Sequence, residues 1–327
     1  MKALITGVSG FAGSHLAEYL LGNTDWEIHG LYHLDHGIHH IAHLRNVIRL
    51  HECDINDERK VKAAVSEIKP EFIFHLAAQA AVALSVVDPA KTLQNNILGQ
   101  LNVLEAAIAL EQKPRVLVIG SADEYGLIYP HELPVKETNP LRPLSPYAVS
   151  KIAQDYLGYQ YFLSNRLPVI RLRPFNHIGP RQSDAFVTAN FAKQIAEAEA
   201  GLRAPVVKVG NLTPKRDFSD VRDMVRGYFL AITQGEPGEV YNLGAERTYS
   251  IREVLDNLLA MSSLQFAVEV DPARLRDSDV SVLLSDCSKF RALAGWRAET
   301  PLRDSLAAVL DYWRDRVRSD IDGNSSG

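Results

Sequence analysis

The chain has 327 residues, 46% hydrophobic and 23% charged, with a formal net charge of −5 from 35 basic and 40 acidic side chains. That size and balance suit one large α/β domain or two lobes around a substantial core, and the absence of any stretch concentrating Lys or Arg speaks against a nucleic-acid partner. Cys53 and Cys287 cannot build a disulfide framework, no apolar run approaches the ~20 residues of a membrane span, and the opening MKALITG reads as a strand rather than a signal peptide, so a cytoplasmic protein with no membrane partner is expected.

Ala3 to Thr6 is a short apolar run ending at Gly7, and a helical pattern follows from Phe11 to Leu21, closed by Gly22 and Asn23. Strands are expected at Ile28 to Tyr32 and Val47 to Leu50, a helix over Glu58 to Glu67, and a fourth strand over Phe72 to Leu76. One long helix is expected from Pro89 to Leu110, then a fifth strand at Val116 to Ile119. Such alternation with continuous apolar strands predicts a doubly wound parallel sheet covered on both faces, an α/β Rossmann arrangement. In the less regular second half, helices are expected over Pro146 to Leu163, Val187 to Glu199 and Asp220 to Thr233, and strands at Val169 to Leu172, Val206 to Val209 and Val240 to Leu243. Ser250-x-x-Glu253 fits a capping box that opens another helix. A last amphipathic helix spans Leu302 to Val317, and the polar tail 319–327 is expected to fray.

Gly7, Gly10 and Gly13 fall at three-residue spacing between the first strand and the first helix. Glycine permits the tight turn, lets the backbone approach a pyrophosphate and presents helix N-terminal amides to negative charge, which predicts dinucleotide binding. At the end of the second strand an acidic residue would favour NAD and an arginine NADP. Tyr32 and His33 stand there, with Asp35 and Arg45 beyond, and leave NAD or NADP open. Asp54 is well placed to meet the adenine. His29, His33, His36, His39, His40 and His43 crowd one segment without a cysteine or a carboxylate pattern to complete a ligand set, so an exposed polar loop rather than a metal site is expected, with no metal anywhere.

Tyr147 and Lys151 stand four residues apart, hence on one helix face. An ammonium beside a phenol should lower the Tyr pKa toward working pH and suit it to exchange a proton with a sugar hydroxyl or ketone. Ser121, just past the fifth strand, lies at the carboxyl edge of the sheet where open α/β folds bind ligands, and can hydrogen-bond the same oxygen.

Together, Gly7/Gly10/Gly13, His75-Leu76-Ala77-Ala78, Asn96, Ser121 and Tyr147/Lys151 resemble the extended short-chain dehydrogenases over almost the whole chain. The resemblance implies that Tyr147 is the acid/base, that Lys151 binds the nicotinamide ribose and that Ser121 polarises the reacting oxygen. It further implies cofactor contacts from Gly7, Gly10, Phe11, Ala12 and Gly13, from Asp54 and Ile55, from Leu76, Ala77, Ala78 and Gln79, and from Asn96, Tyr147, Lys151 and His177. Arg173 to Pro180, Gly210-Asn211-Leu212 leading to Arg216-Asp217-Phe218, and Leu275 to Val280 are similar to the GDP-mannose 4,6-dehydratase group and its related GDP-6-deoxy-4-keto-mannose reductases. On that likeness Arg216 and Arg276 clamp the diphosphate of a GDP-sugar, while Ser121, Asn176, Val187 and Asp279 contact the rest of the substrate. Residues 1–175 and 219–247 would form the dinucleotide-binding domain and 176–218 with 248–318 the substrate lobe, and the helices near 95–111 and 147–164 would pair in a homodimer.

A 4,6-dehydratase needs a carboxylate base beside the sugar, supplied as Glu two positions after the Ser/Thr; Asp123 occupies that position, one methylene shorter. Gln182 replaces an arginine that similar dehydratases carry near the cofactor. Both departures favour NAD(P)H-dependent reduction of GDP-4-keto-6-deoxy-D-mannose to GDP-D-rhamnose. The alternatives are a dehydratase or epimerase on a nucleotide sugar, with Asp123 as base, or a non-catalytic dinucleotide-binding regulator, which would have no need of Ser121, Tyr147 and Lys151 together.

Overall fold

The structure is a computed structural model that describes residues 1–275 and 280–324. Its strands are β1 (Lys2–Thr6), β2 (Glu27–Tyr32), β3 (Arg49–Glu52), β4 (Phe72–His75), β5 (Arg115–Ile119), β6 (Val169–Pro174), β7 (Asn176–Ile178), β8 (Val206–Val209), β9 (Lys215–Asp220), β10 (Val240–Leu243), β11 (Thr248–Ser250), β12 (Ala267–Val270) and β13 (Val282–Leu283). The α-helices are α1 (Phe11–Asn23), α2 (Glu58–Ile68), α3 (Val82–Val87), α4 (Pro89–Leu93), α5 (Gly99–Ile108), α6 (Pro146–Asn165), α7 (Val187–Glu199), α8 (Val221–Gln234), α9 (Ile251–Leu259), α10 (Ser288–Ala294) and α11 (Leu302–Asn324).

Seven strands form one parallel sheet in the order β3-β2-β1-β4-β5-β6-β10, the doubly wound order expected from the strand-helix alternation. Strand alternation sends side chains to two cores. Ala3 and Ile5 of β1, Leu117 of β5 and Ile170 and Leu172 of β6 pack with α1 and α8 against Phe74 and Trp296. Leu4, Val116, Val118 and Val169 face the opposite side, against Val61 and Val65 of α2, Val103 and Leu104 of α5 and Tyr161 of α6. A third core joins Phe191 and Ile195 of α7, Val254 and Leu258 of α9 and Leu306 and Leu310 of α11 over β8. Around β9 a small sheet gathers β11, β13 and β7, and β8 pairs with β12.

Three sequence expectations are corrected. The third strand is Arg49–Glu52, two residues later than the apolar signal at Val47, which is exposed. As an edge strand it needs no continuous apolar run. The single helix expected from Pro89 to Leu110 is broken into α4, a π-helical turn at Gln94–Leu98 and α5, with α3 added before them. The last helix is longer than Leu302 to Val317: α11 continues to Asn324, with Arg318 3.6 Å from Asp315 and Arg316 4.0 Å from Asp320, spacings that support an exposed helix. The capping box at Ser250 and Glu253 forms as expected.

Candidate active site

The carboxyl ends of β1, β4 and β5 converge on one edge, so the glycine turn, the segment after His75 and the Ser121 turn meet there. Gly7 has φ +72°, a left-handed conformation that an L side chain resists, and a Cβ on it would stand 2.9 Å from the Ala77 Cα. A Cβ on Gly13 would stand 2.2 Å from the Gly7 carbonyl oxygen. Helix α1 begins at Phe11 after Gly10, which offers no side-chain cap, and its first turn has no acidic residue. Its terminal amides are thus left for an outside anion, and the backbone closeness at Gly7 and Gly13 leaves room that side chains would take. These features fit a dinucleotide pyrophosphate.

Other expected cofactor residues surround this turn. The Ala77 N–H donates to Thr6 Oγ1 (3.2 Å), and the Thr6 hydroxyl meets His75 Nδ1 (2.9 Å). Asn96 is fully buried in the π-helical turn. Its oxygen accepts from Gln79 N–H (2.8 Å) and its amide donates to Gln79 O (3.1 Å) and Ser150 Oγ (2.9 Å), so it clamps the loop after β4 to α6. Asp54 lies 3.7 Å from His33 Nε2, and the Ile55 carbonyl accepts from Asn102 Nδ2 (2.8 Å), which fixes the loop after β3. The His177 ring stacks on Phe11, with centroids 5.7 Å apart. His29 departs from the exposed-loop expectation. It is buried in β2, with Nδ1 3.0 Å from His51 Nε2 and Nε2 2.9 Å from Glu27.

Ser145 caps α6 by accepting from Ala148 N–H (3.1 Å), with Pro146 at the first helical position. This start sets Tyr147 and Lys151 on one buried face, the ammonium 5.8 Å from the Tyr147 ring centroid. Ser121 opens a 3₁₀ turn over Ala122–Glu124: its Oγ accepts from Asp123 N–H (3.1 Å), and its own N–H donates to Glu124 Oε1 (2.8 Å).

The phenol does not behave as the Tyr-Lys spacing suggests. Burial and the charge of Asp123 push the Tyr147 pKa well above its ordinary value, with a hydrogen bond to Ser121 pulling partly back. Lys151 donates instead to the Ile119 carbonyl (2.8 Å), and burial lowers its pKa to about 8. The arrangement is a protonated phenol beside a serine hydroxyl, suited to giving a proton to an oxygen held against both.

On the substrate side, Asn176 is exposed on β7, Val187 is the first residue of α7, and Arg216 on β9 donates to the carbonyls of Val280 (2.5 Å) and Lys215 (3.0 Å). Arg276 and Asp279 lie outside the described residues. Gln182 is buried, donating to the His177 carbonyl (2.9 Å) and accepting from Thr188 Oγ1 (3.1 Å), so its amide is committed to internal bonds.

The family model described as GDP-mannose 4,6 dehydratase matches residues 4–309. The chain belongs to that family. It is 34% identical to the GDP-6-deoxy-D-mannose reductase of Pseudomonas aeruginosa over 98% of this chain and 99% of that protein. It is 29% identical to a GDP-mannose 4,6-dehydratase of Vibrio cholerae, over 94% of this chain and 92% of that one. Among solved structures, RMD from Pseudomonas aeruginosa complexed with NADPH superposes with a TM-score of 0.85 at 34% identity, covering 96% of this chain and 99% of that chain. The UDP-glucose 4-epimerase of Thermus thermophilus complexed with NAD also gives 0.85, at 31% identity, covering 96% of this chain and 99% of that one.

In this member of the GDP-mannose 4,6-dehydratase family, sequence reasoning missed a buried ionic group directly beneath the site. Asp155 accepts from Arg171 (2.6 Å) and Arg173 (2.6 and 2.8 Å), and Glu124 lies against them with Arg173 Nε 3.0 Å from its Oε2. One signal was available: Ser121-x-x-Glu124 is the same capping-box spacing recognised at Ser250.

Proposed function

We propose that this chain reduces the 4-keto group of GDP-4-keto-6-deoxy-D-mannose with NAD(P)H to give GDP-D-rhamnose. The observation that carries this reading is the 34% identity to GDP-6-deoxy-D-mannose reductase over nearly the full length of both proteins, joined to a buried Tyr147 phenol beside Ser121 that can give a proton to a ketone oxygen. A ketone reduction consumes a proton at oxygen, so it starts from the phenol form; a dehydratase or epimerase begins by oxidising an alcohol and starts from the phenolate.

The bound dinucleotide supplies the hydride. Gly7, Gly10 and Gly13, with the amides of Phe11 and Ala12, would hold its pyrophosphate; Asp54 and Ile55 its adenosine; and Leu76 to Gln79, Asn96, Lys151 and His177 its nicotinamide half. Arg216 and Arg276 would hold the substrate diphosphate, with Asn176, Val187 and Asp279 along the nucleotide sugar. Ser121 donates a hydrogen bond to the ketone oxygen, and Tyr147 then transfers its phenolic proton to that oxygen. On this reading residues 1–175 and 219–247 carry the dinucleotide, and 176–218 with 248–318 the GDP-sugar.

A second reading, GDP-mannose 4,6-dehydratase, draws on Asp123, a carboxylate whose charge reaches the Tyr147 phenol and which would serve as the base. One experiment separates the two. GDP-4-keto-6-deoxy-mannose is supplied with NADPH or NADH while the absorbance of the reduced cofactor is followed, beside GDP-mannose alone. Cofactor consumption matched by GDP-rhamnose supports the reductase; a keto sugar formed from GDP-mannose without added cofactor overturns it. Tyr147→Phe should lower kcat by roughly 10²- to 10⁴-fold and leave GDP-sugar binding intact.

A homodimer belongs to the same proposal. Val149, Tyr156 and Leu163 form a stripe at seven-residue spacing along α6 that is 46%, 54% and 53% exposed, and Leu84 and Leu98 add to the exposed apolar surface. Among the described residues no helix is long and apolar enough to cross a membrane. A cytoplasmic setting suits the two buried free cysteines, Cys53 and Cys287.

A further inference from the structure

Glu124 is fully buried one turn below the site, and nothing in the proposed chemistry uses it. Its Oε1 accepts the Ser121 N–H at 2.8 Å, so it holds the backbone of the residue whose hydroxyl meets Tyr147. Among the described residues its Oε2 receives no directed hydrogen bond: Arg173 Nε is 3.0 Å away, but the Arg173 Nε and Nη2 donate to Asp155 and its Nη1 donates to the Tyr125 hydroxyl and the Glu137 carbonyl. Asp155 sits one helical turn after Lys151 on α6 and is also bonded to Arg171 at 2.6 Å.

We propose that Glu124 is a positioning residue: as a neutral carboxylic acid it fixes Ser121 through the backbone and ties the Ser121 turn to α6 by donating its own proton to Asp155. A buried oxygen with no donor, lying within hydrogen-bonding reach of a carboxylate, is satisfied when it carries the proton itself. The charges agree. Burial, then the neighbouring Asp155 carboxylate, favours the protonated form of Glu124 against the pull of the Arg173 guanidinium. The bridge runs Ser121 N–H to Glu124, Glu124 to Asp155, and Asp155 back along α6 to Lys151 and Tyr147, so the two halves of the proton-donor pair keep one spacing. This inference rests on the reading of Ser121 and Tyr147 as that pair.

The test compares Glu124→Met, which keeps volume and loses both hydrogen bonds, with Glu124→Gln, whose amide can accept from Ser121 and donate to Asp155. Glu124→Met should lose kcat on the order of 10²-fold through misplacement of Ser121 with KM little changed, and Glu124→Gln should recover most of that loss. Hydrogen exchange of a peptide covering residues 120–126 should speed up in the Met variant and remain slow in the Gln variant, a readout independent of turnover. The groups facing Glu124 are Tyr147, Lys151 and Asp155 on α6, Arg173 on β6, and Tyr125 on its own turn. Because the neutral acid and the amide have the same charge, the pH profile of kcat/KM in Glu124→Gln should overlay that of the unaltered protein. A Gln variant as impaired as the Met variant, or with its Lys151 limb shifted to lower pH, overturns the inference, as does a folded Met variant with full kcat and slow exchange. If Glu124→Met does not fold, the Gln profile and exchange decide alone. If the unaltered protein does not reduce the keto sugar, the functional reading fails, while the exchange comparison still decides the role of Glu124.

Discussion

Gly13→Ala should uncouple the glycine turn from its ligand, and the cost can be worked from the backbone. The new Cβ would lie 2.2 Å from the Gly7 carbonyl oxygen and 2.9 Å from both the Gly7 carbonyl carbon and the Val8 Cα. All three are backbone atoms, so no side chain can swing away; the turn itself must move by about 1 Å to restore ordinary contact. It is anchored, because Gly7 and Val8 both donate to the Leu31 carbonyl (3.0 and 3.2 Å) and Gly10 donates back to Gly7 O (3.0 Å). Overpacking of this kind costs about 1–3 kcal/mol, against a helix-propensity gain for alanine of about 1 kcal/mol. Losing one or two amide contacts to the pyrophosphate, at about 1.5–3 kcal/mol each, should weaken NADPH binding by about 10-fold or more. Gly22→Ala is the control within the same helix: among the described residues nothing lies within 4 Å of its added Cβ, so it should stabilise by about 0.5–1 kcal/mol. Thermal unfolding of both variants and fluorescence titration with NADPH give the answer. Wild-type melting and nucleotide affinity in Gly13→Ala would refute the assignment of that close approach.

The buried Lys151 ammonium, lowered to about pH 8, predicts that kcat/KM falls on the alkaline side with an apparent pKa near 8; a flat profile from pH 7 to 9 would show that its charge is not needed. His75 is buried with its pKa pushed down to about 3, below the 6.5 of an unfolded histidine. The unfolded chain therefore binds the extra proton first, and the stability tied to neutral His75 is complete above pH 6.5 and is lost as pH falls toward 3. In His75→Asn the stability gap from the unaltered protein should narrow as pH drops from 7 to 4, and a constant gap over that range counts against this linkage. Tyr156→Glu places a charge in the middle of the exposed α6 stripe and should give monomers in sedimentation; an unchanged dimer would move the interface elsewhere.

Much of the site was legible because its signals are local. Gly7, Gly10 and Gly13 announce a turn by spacing alone, and Tyr147 and Lys151 share a face because four residues make about one helical turn. The broken helix at Gln94–Leu98 was not legible, because its cause is remote: Asn96 bonds to Gln79 and to Ser150, on segments far along the chain. The edge strand β3 was misplaced because RLHE carries no apolar run, and its position follows from pairing with β2, Leu50 opposite Gly30. The phenol was misjudged for a similar reason. Sequence shows that an ammonium stands one turn away, but not that Ile119 O accepts from it while Asp123 and burial act on the ring.

The sequence by itself determined the strand-helix alternation, the parallel sheet it demands, the glycine turn and the placing of Tyr147 and Lys151 on one helix face, since each depends on periodicity or on neighbours within a few residues. Only the tertiary structure decided what surrounds those groups. Protonation depends on burial and on charges brought together from distant segments: Asp155 of α6, Arg173 of β6 and Glu124 after β5 meet only when the sheet forms.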